Sequence, residues 1–369
     1  MSHSNTALAM RSAIQKVATG PEYSKNLTLD EAYEAMKFVL ADDSDAVQAA
    51  VFFIALRMKR ETDEENKGIL KAIQETSTIT QVNVDELVDV ADPYDGHSRG
   101  LPMAAFIAPV LAACGLPAFS HGLDSVGPKY GITTHKVLKA AGVNVDMSPA
   151  EAAKSIEENG WAYIDQRHFA SNLHDLLPLR ARVVKRQVLT TVEVLVSPFK
   201  AKMKTHLLTG YVHKAYPPIY ASLARFSGFD SSMIVRGVEG GVIPSLQQTA
   251  KLFYYHDKGE EQSLELDPKS IGISQSTRAV PLPKDLPESK AADNIATPFD
   301  VDSAAKAVAS TGLAALGGEA GPARDAITYA VAIVLNHTGK AESMASAAQM
   351  AREAIDNGEA LKRFKLLTS

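Results

Sequence analysis

The chain has 369 residues, of which 46% are hydrophobic and 22% charged, and its formal net charge is −5. That composition supplies a full core for roughly two or three domains, and its acidic balance excludes a protein held to nucleic acid by overall charge. The single cysteine, Cys114, excludes an intrachain disulfide, and its Ala-rich surroundings predict a buried, inert thiol in a reducing cytoplasm.

The opening residues are polar and carry no apolar signal region. The longest apolar run, residues 103–119, is 17 residues long and broken by Pro109, Gly115 and Pro117. A membrane span needs ~20 apolar residues, so none is expected.

In chain order, Thr28 with Glu31 and Thr62 with Glu65 form capping-box patterns. They predict a helical domain over residues 1–82, with a later helical contribution from about 148–215. Residues 47–58 are apolar at nearly every position, as in a helix buried on several sides or at a subunit contact. Residues 83–369 read as an α/β domain with C-terminal helices. Short apolar runs at 87–91, 118–120, 162–164, 188–196 and 233–235 alternate with loops and helices, which predicts a mainly parallel sheet. Ser148 with Glu151, and Pro149 at the first helical position, opens a helix ending near Gly160. Residues 259–300, rich in proline, read as a long loop or short strands. Residues 303–366 return to helix, and 312–321 reads as a helix-helix connection.

Charge is uneven. Arg180, Arg182, Lys185, Arg186, Lys200, Lys202 and Lys204 face a single acid, Glu193, within one segment, so a basic face on an acidic body is expected, or a solvated surface. Tyr211, His213, Lys214, Tyr216, Tyr220 and Phe226 interleave aromatic and basic groups, either to stack bases or to fill core and turns. His121, Asp124 and Ser125 are too close in sequence for a spaced Ser-His-Asp relay and read as loop structure or ligand hydrogen bonding. Gly237, Gly240 and Gly241 suggest an anion nest, but the run is short and lacks a Gly-x-Gly-x-x-Gly context, so a tight turn after a strand is the plainer reading. His135, His168, His174 and His206 lack zinc-site spacing, so no structural metal is expected.

Three separated regions carry a resemblance. Ala55-Leu56-Arg57-Met58-Lys59 is followed by Glu61-Thr62. In the middle stand His121-Gly122, Ser125-Val126, Lys129 and Gly131. Near the end come Gly321-Pro322-Ala323-Arg324-Asp325-Ala326, Gly339-Lys340-Ala341 and Ala351-Arg352-Glu353-Ala354-Ile355-Asp356. These resemble the first helical hairpin, the Lys-His-Gly-Asn-Arg loop and the closing helices of the anthranilate phosphoribosyltransferase family. That family belongs to the wider glycosyltransferase family 3 group, which includes pyrimidine nucleoside phosphorylases. The resemblance implies a small helical domain hinged to a larger, mainly parallel α/β domain, a cleft between them, and a homodimer formed through the helical domain. It also implies a reaction in which an arylamine displaces pyrophosphate from phosphoribosyl pyrophosphate with magnesium.

Four parts of that apparatus are replaced. The Gly-Thr-Gly-Gly-Asp phosphate loop reads Asp92-Pro93-Tyr94-Asp95-Gly96, in which Pro93 removes an N–H and three side chains crowd the approach. The Asn-x-Ser-Thr set reads Pro102-Met103-Ala104-Ala105. The Lys and Asn-Arg flanking His-Gly have become Ser120 and Leu123-Asp124. Of the metal-binding Asp-Glu pair only an offset Glu239 remains. The pattern is similar to the divergent TrpD2-like branch, which keeps the fold, replaces the phosphoribosyl site and is associated with nucleic acid.

The resemblance and its departures lead to a protein without the parent activity that binds a polyanionic or phosphorylated ligand, single-stranded nucleic acid foremost. One alternative is a pentosyl or phosphoribosyl transferase with an altered donor or acceptor. Magnesium enters only there, with Asp95, Asp124 or Glu239 as ligand or base and Arg99, Lys129, Arg180, Arg186 and Arg236 holding phosphate. Another is a metabolite-sensing regulator. The ligand-binding candidates are Tyr94, Asp95, Gly96, His97 and Arg99 in the first loop and His121, Gly122, Asp124, Ser125 and Lys129 in the second. Arg180, Arg186, Arg236 and Glu239 complete the set. No catalytic residue and no resident cofactor are assigned.

Overall fold

The computed structural model describes residues 3–290 and 297–368. Four helices open it, His3–Val17, Leu29–Val39, Ala46–Lys59 and Asp63–Glu75. Both expected capping boxes form there, each Thr hydroxyl accepting the N–H of the Glu that caps it in return. Glu65 does more than cap. It is fully buried, takes the Leu27 N–H on Oε1 at 2.8 Å, and holds the Lys59 ammonium on Oε2 at 2.9 Å. The Ala46–Lys59 helix buries Ala49, Phe52, Phe53 and Leu56 but leaves Val47, Val51 and Met58 exposed. Its outer apolar face is therefore uncovered in one chain.

Among the described residues nine strands follow: β1 (Thr80–Gln81), β2 (Glu86–Ala91), β3 (Ala118–Gly122), β4 (Trp161–Asp165), β5 (Phe199–Lys200), β6 (Lys204–Gly210), β7 (Ser231–Val235), β8 (Ala250–Tyr255) and β9 (Gln262–Leu266). β1 and β5 pair with each other in parallel. The rest form one sheet ordered β4-β3-β2-β6-β7-β8-β9, parallel from β4 to β7 and antiparallel at β8 and β9. From β2 the chain builds outward through β3 and β4, then returns to place β6 on the other flank of β2. That reversal opens a crevice beyond the carboxyl ends of β2 and β6, where ligands of open α/β sheets bind.

The expected strand at 188–196 is instead helical, a Leu189–Val192 turn continued by the 3-10 turn Glu193–Leu195. A continuous apolar run does not distinguish a buried strand from a buried helix, and here Glu193 turns inward to meet a buried arginine. The central strand β6 escaped the pattern because polar residues occupy it. His206 Nδ1 bonds Ser231 Oγ at 2.7 Å and Thr209 Oγ1 donates to the Ala91 carbonyl at 3.1 Å, so these side chains find partners inside the sheet. At the start of β7 His337 also bonds Ser231 Oγ, at 2.9 Å, and stacks on His256 with ring centroids 4.1 Å apart.

The closing helices are Val301–Leu316, Pro322–His337, Met344–Asp356 and Glu359–Lys365. Gly312 belongs to the first of them rather than to a connection. A Cβ there would come within 2.0 Å of the Phe106 ring, so the residue is small for packing. Cys114 is partly buried among apolar groups, and burial pushes its thiol up to about 12. No helix of the described residues is long and apolar enough to cross a membrane.

Candidate functional site

A cleft of about 450 Å³ occupies the crevice, floored by Ala91 at the end of β2 and by Thr209 and Gly210 at the end of β6. Helical elements roof it: Arg57 from the Ala46–Lys59 helix, Gln187, Thr190 and Thr191 from in and just before the Leu189–Val192 turn, and Tyr216 and Tyr220 from the Tyr216–Ser227 helix. Three loops, those after β2, β3 and β7, form its charged wall.

The loop after β2 locks against the loop after β3 by an antiparallel bridge between His97 and Ile132. Gly96 has φ +73° there, and a Cβ on it would meet the Gly131 carbonyl carbon at 2.6 Å, so side chains at this crossing are sterically excluded. The crossing consumes backbone donors. Gly96 N–H donates to the Pro93 carbonyl at 3.1 Å, His97 N–H to Ile132 at 3.0 Å, and Gly131 N–H to Asp95 at 2.9 Å. The next two amides, Ser98 and Arg99, donate to the Glu239 carboxylate at 3.0 and 2.7 Å. A protein carboxylate already sits where consecutive N–H groups would cradle an anion.

Glu239 itself occupies a left-handed backbone position, φ 55° and ψ 15°, on the loop after β7. Burial pushes its carboxyl up, but His97, Lys129 and the two backbone donors outweigh burial and hold it below the usual range. Lys129 lies between the two carboxylates of the cleft, 3.6 Å from Asp95 Oδ1 and 3.7 Å from Glu239 Oε2, and donates to the Gly96 carbonyl at 2.5 Å. Arg186 reaches Asp95 Oδ2 at 2.6 Å. Asp92 is turned away from the cleft, accepting from His97 Nε2 at 2.7 Å and Val242 N–H at 3.1 Å.

Tyr94, His121 and Asp89 form a closed buried relay. His121 Nε2 bonds Asp89 Oδ1 at 2.8 Å, while its Nδ1 bonds the Tyr94 hydroxyl. Burial, then the Glu193 and Asp89 carboxylates, push the Tyr94 phenol well up, so it stays protonated and donates to Nδ1. None of the three side chains opens to the cleft, and the relay pins the loop after β2 to the sheet. Gly122 lies beside the Tyr94 ring at the end of β3.

Several sequence candidates lie elsewhere. Asp124 is exposed, 3.4 Å from Lys136 and 3.9 Å from His135, and neither it nor Ser125 lines the cleft. Arg180 is buried in a two-pronged pair with Glu193, at 2.6 and 2.8 Å, so no free guanidinium remains for a ligand. Arg236 is exposed beside the cleft, in an adjoining hollow. The expected basic face also breaks up. Lys200 is largely buried over the Phe229 ring, where burial lowers its ammonium to about 8, and Lys204 pairs with Asp257 at 2.7 Å. Arg182, Lys185 and Lys202 remain exposed.

The cleft thus gathers Arg57, Arg99, Lys129 and Arg186 against Asp95 and Glu239, and Tyr211, His213, Tyr216 and Tyr220 also line it. The ring centroids of Tyr216 and Tyr220 lie 5.8 Å apart, those of His213 and Tyr216 6.2 Å. Arg57 Nη1 approaches the Tyr216 hydroxyl at 3.5 Å. Arg57 stands within the motif that carried the family resemblance, yet nothing in its local spacing aims it at the cleft. Magnesium does not fit this wall: Asp95 is spent on two cations and Glu239 on backbone donors and Lys129. Among the described residues no group of three or more His, Cys, Asp or Glu could hold a metal.

Known proteins share this architecture. The model described as "Glycosyl transferase family, a/b domain" matches residues 101–361, and "Glycosyl transferase family, helical bundle domain" matches residues 11–77. An uncharacterized protein of Aquifex aeolicus is 29% identical over 262 residues, 71% of this chain and 75% of that protein. Anthranilate phosphoribosyltransferase of Thermomicrobium roseum is 27% identical over 362 residues, 96% of this chain and 95% of the relative. The crystal structure of anthranilate phosphoribosyltransferase from Thermus thermophilus superposes with a TM-score of 0.73 at 21% identity, covering 97% of this chain and 98% of that one. The Saccharomyces cerevisiae enzyme in complex with PRPP and Mg gives 0.74 at 16% identity, covering 98% and 97%. With a helical bundle and an α/β domain both matched, this chain belongs to the glycosyl transferase family that includes the anthranilate phosphoribosyltransferases.

Proposed function

We propose that this chain does not transfer a phosphoribosyl group from phosphoribosyl pyrophosphate, and that its cleft binds a polyanionic, phosphate-bearing ligand, single-stranded nucleic acid in particular. It then stands with the divergent, TrpD2-like members of the family. The observation that carries the first half is the spent amide set: Ser98 and Arg99 N–H groups hold Glu239, leaving no cradle and no free carboxylate for a magnesium-bound pyrophosphate. The second half rests on four cations and three tyrosines in a cleft that, among the described residues, is lined by two acids. Such a site suits a phosphate next to a stacked base.

Calorimetric titration tests both halves. Phosphoribosyl pyrophosphate with magnesium is expected to give no binding heat, and magnesium-dependent binding would overturn the first half. Single-stranded oligonucleotides are expected to bind at low salt with an affinity that falls steeply as salt rises. No binding at low salt overturns the second half. The transferase alternative is favoured by one feature, the meeting of Lys129 and Arg186 inside the cleft rather than on the outer surface. Phosphate-dependent turnover of a nucleoside would select it.

The uncovered face of the Ala46–Lys59 helix suits a second copy of the chain, with Val51, Ile54 and Met58 beside Val17 and Pro21 around a largely apolar hollow of about 630 Å³. The double substitution Val51→Glu with Met58→Glu is expected to convert a dimer into a monomer in sedimentation equilibrium while leaving the helical circular-dichroism signal intact. A monomeric unsubstituted protein would overturn the dimer.

A further inference from the structure

Beside the cleft lies a second hollow of about 690 Å³ that shares Arg99, Val212 and Glu239 with it. Three arginines line it, each from a different segment: Arg99 after the first loop, Arg236 at the end of β7, and Arg278 from the stretch preceding Val280. Those segments are tied together by backbone bonds. Leu101 N–H donates to the Val280 carbonyl at 2.9 Å, Leu246 N–H to Arg278 at 3.0 Å, and Gly237 bridges Pro244. Gln247 Nε2 adds a bond to the Ser276 carbonyl at 2.9 Å. The three guanidinium groups are thus presented by a braced scaffold and not by one mobile loop.

Their convergence on one hollow without acidic partners is what sets them apart. Elsewhere in this acidic chain many arginines are paired: Arg167 with Asp146, Arg180 with Glu193, Arg186 with Asp95, Arg324 with Asp356 and Arg363 with Glu359. Among the described residues no carboxylate lies within pairing distance of the guanidinium of Arg99, Arg236 or Arg278. The one acid lining the hollow, Glu239, has its oxygens taken by Ser98 and Arg99 N–H groups. Ser245, Gln248 and Thr277 supply further hydrogen-bonding groups around the rim. An arginine fork is the side chain best matched to phosphate oxygens.

We propose that this hollow is a second phosphate subsite continuous with the cleft. A phosphodiester strand anchored in the cleft runs over Arg99 so that later phosphates lie against Arg236 and Arg278. This rests on the proposed function and narrows it, since a ligand with one phosphate fills the cleft alone whereas a strand of several nucleotides uses both hollows.

The experiment compares two probes, adenosine 5′-monophosphate and an oligothymidylate about ten nucleotides long, on the full chain and on Arg236→Gln with Arg278→Gln. Both arginines are exposed and have no acidic partner, so the variant is expected to melt as the unsubstituted protein does. Mononucleotide affinity is expected to be unchanged. Oligonucleotide affinity is expected to fall about tenfold or more at low salt, and the slope of log affinity against log salt to weaken by roughly 0.7 for each phosphate no longer held. An unchanged oligonucleotide affinity and slope, with mononucleotide binding intact, overturns the second subsite and leaves the cleft reading standing. No binding of either probe to the unsubstituted chain overturns both.

Discussion

Arg180→Leu is expected to lose about 3–5 kcal/mol of folding stability, the usual cost of stranding one member of a buried ion pair. Both side chains are almost wholly buried, and the two short bonds between them are the main compensation for removing two charges from water. Without the guanidinium, Glu193 would keep only a 3.4 Å contact from Gln166 Nε2. Glu193→Leu should cost a similar amount for the same reason. The double replacement Arg180→Leu with Glu193→Leu is expected to recover most of the loss, because it removes both buried charges together. Urea denaturation of the two single variants and the double variant measures the coupling. Additive losses would show that the pair is not a unit. A drop in ligand affinity with stability unchanged would restore Arg180 to the binding site.

Acid is expected to destabilise the fold well above the range in which carboxylates titrate. Burial is the main cause that lowers His206 to about 4 and His337 to about 3. The nearby Glu86 and Asp230 oppose the shift at His206, while Lys204 and Lys340 add to it; at His337, His256 and His206 add to burial. Both rings are neutral in the fold but titrate near ~6.5 in the unfolded chain. Below that pH the unfolded chain binds protons that the folded one refuses, so stability falls as pH drops from about 6.5 towards 4. Each ring contributes up to ~1.4 kcal/mol per pH unit in that window, and the loss levels off once pH is below the folded values. Melting temperatures across the window should show this slope. His206→Gln with His337→Gln should flatten it, whatever that variant does to stability at neutral pH. An unaltered slope would place the acid sensitivity elsewhere.

Much of the fold was legible because capping residues and termini obey local rules. Thr28, Thr62 and Ser148 begin helices where their side chains can accept an N–H three residues on, and Gly160 ends one with φ 82°. Residues 188–196 and β6 failed for opposite reasons. The first is apolar over most of its length and gives no period to read; the second is a central strand whose polar side chains find partners only once β2 and β7 lie beside it. At the site, the segment Asp92-Pro93-Tyr94-Asp95-Gly96 and its acids were visible in the letters. The partnerships were not. Asp95 with Arg186, Glu239 with Ser98 and Arg99, and Arg180 with Glu193 join residues between 13 and 141 positions apart, and no local spacing encodes them. The basic segment misled because a one-dimensional charge count cannot tell an arginine facing water from one facing a buried glutamate.

Glu239 gives the cleft a selectivity of its own. Any anion that seeks the Ser98 and Arg99 amides meets a competitor bound to the same chain, present at an effective concentration that no dilution lowers. A lone phosphate or carboxylate offers those amides little that the tethered carboxylate does not already supply, so charge by itself is a poor key to this lock. Guests that stack on the tyrosines or engage the unpaired arginines leave that internal anion in place and meet no such rival. On the proposed reading, the tethered Glu239 carboxylate therefore filters what the cleft accepts, favouring extended, several-point ligands over small ions that differ only in being negative.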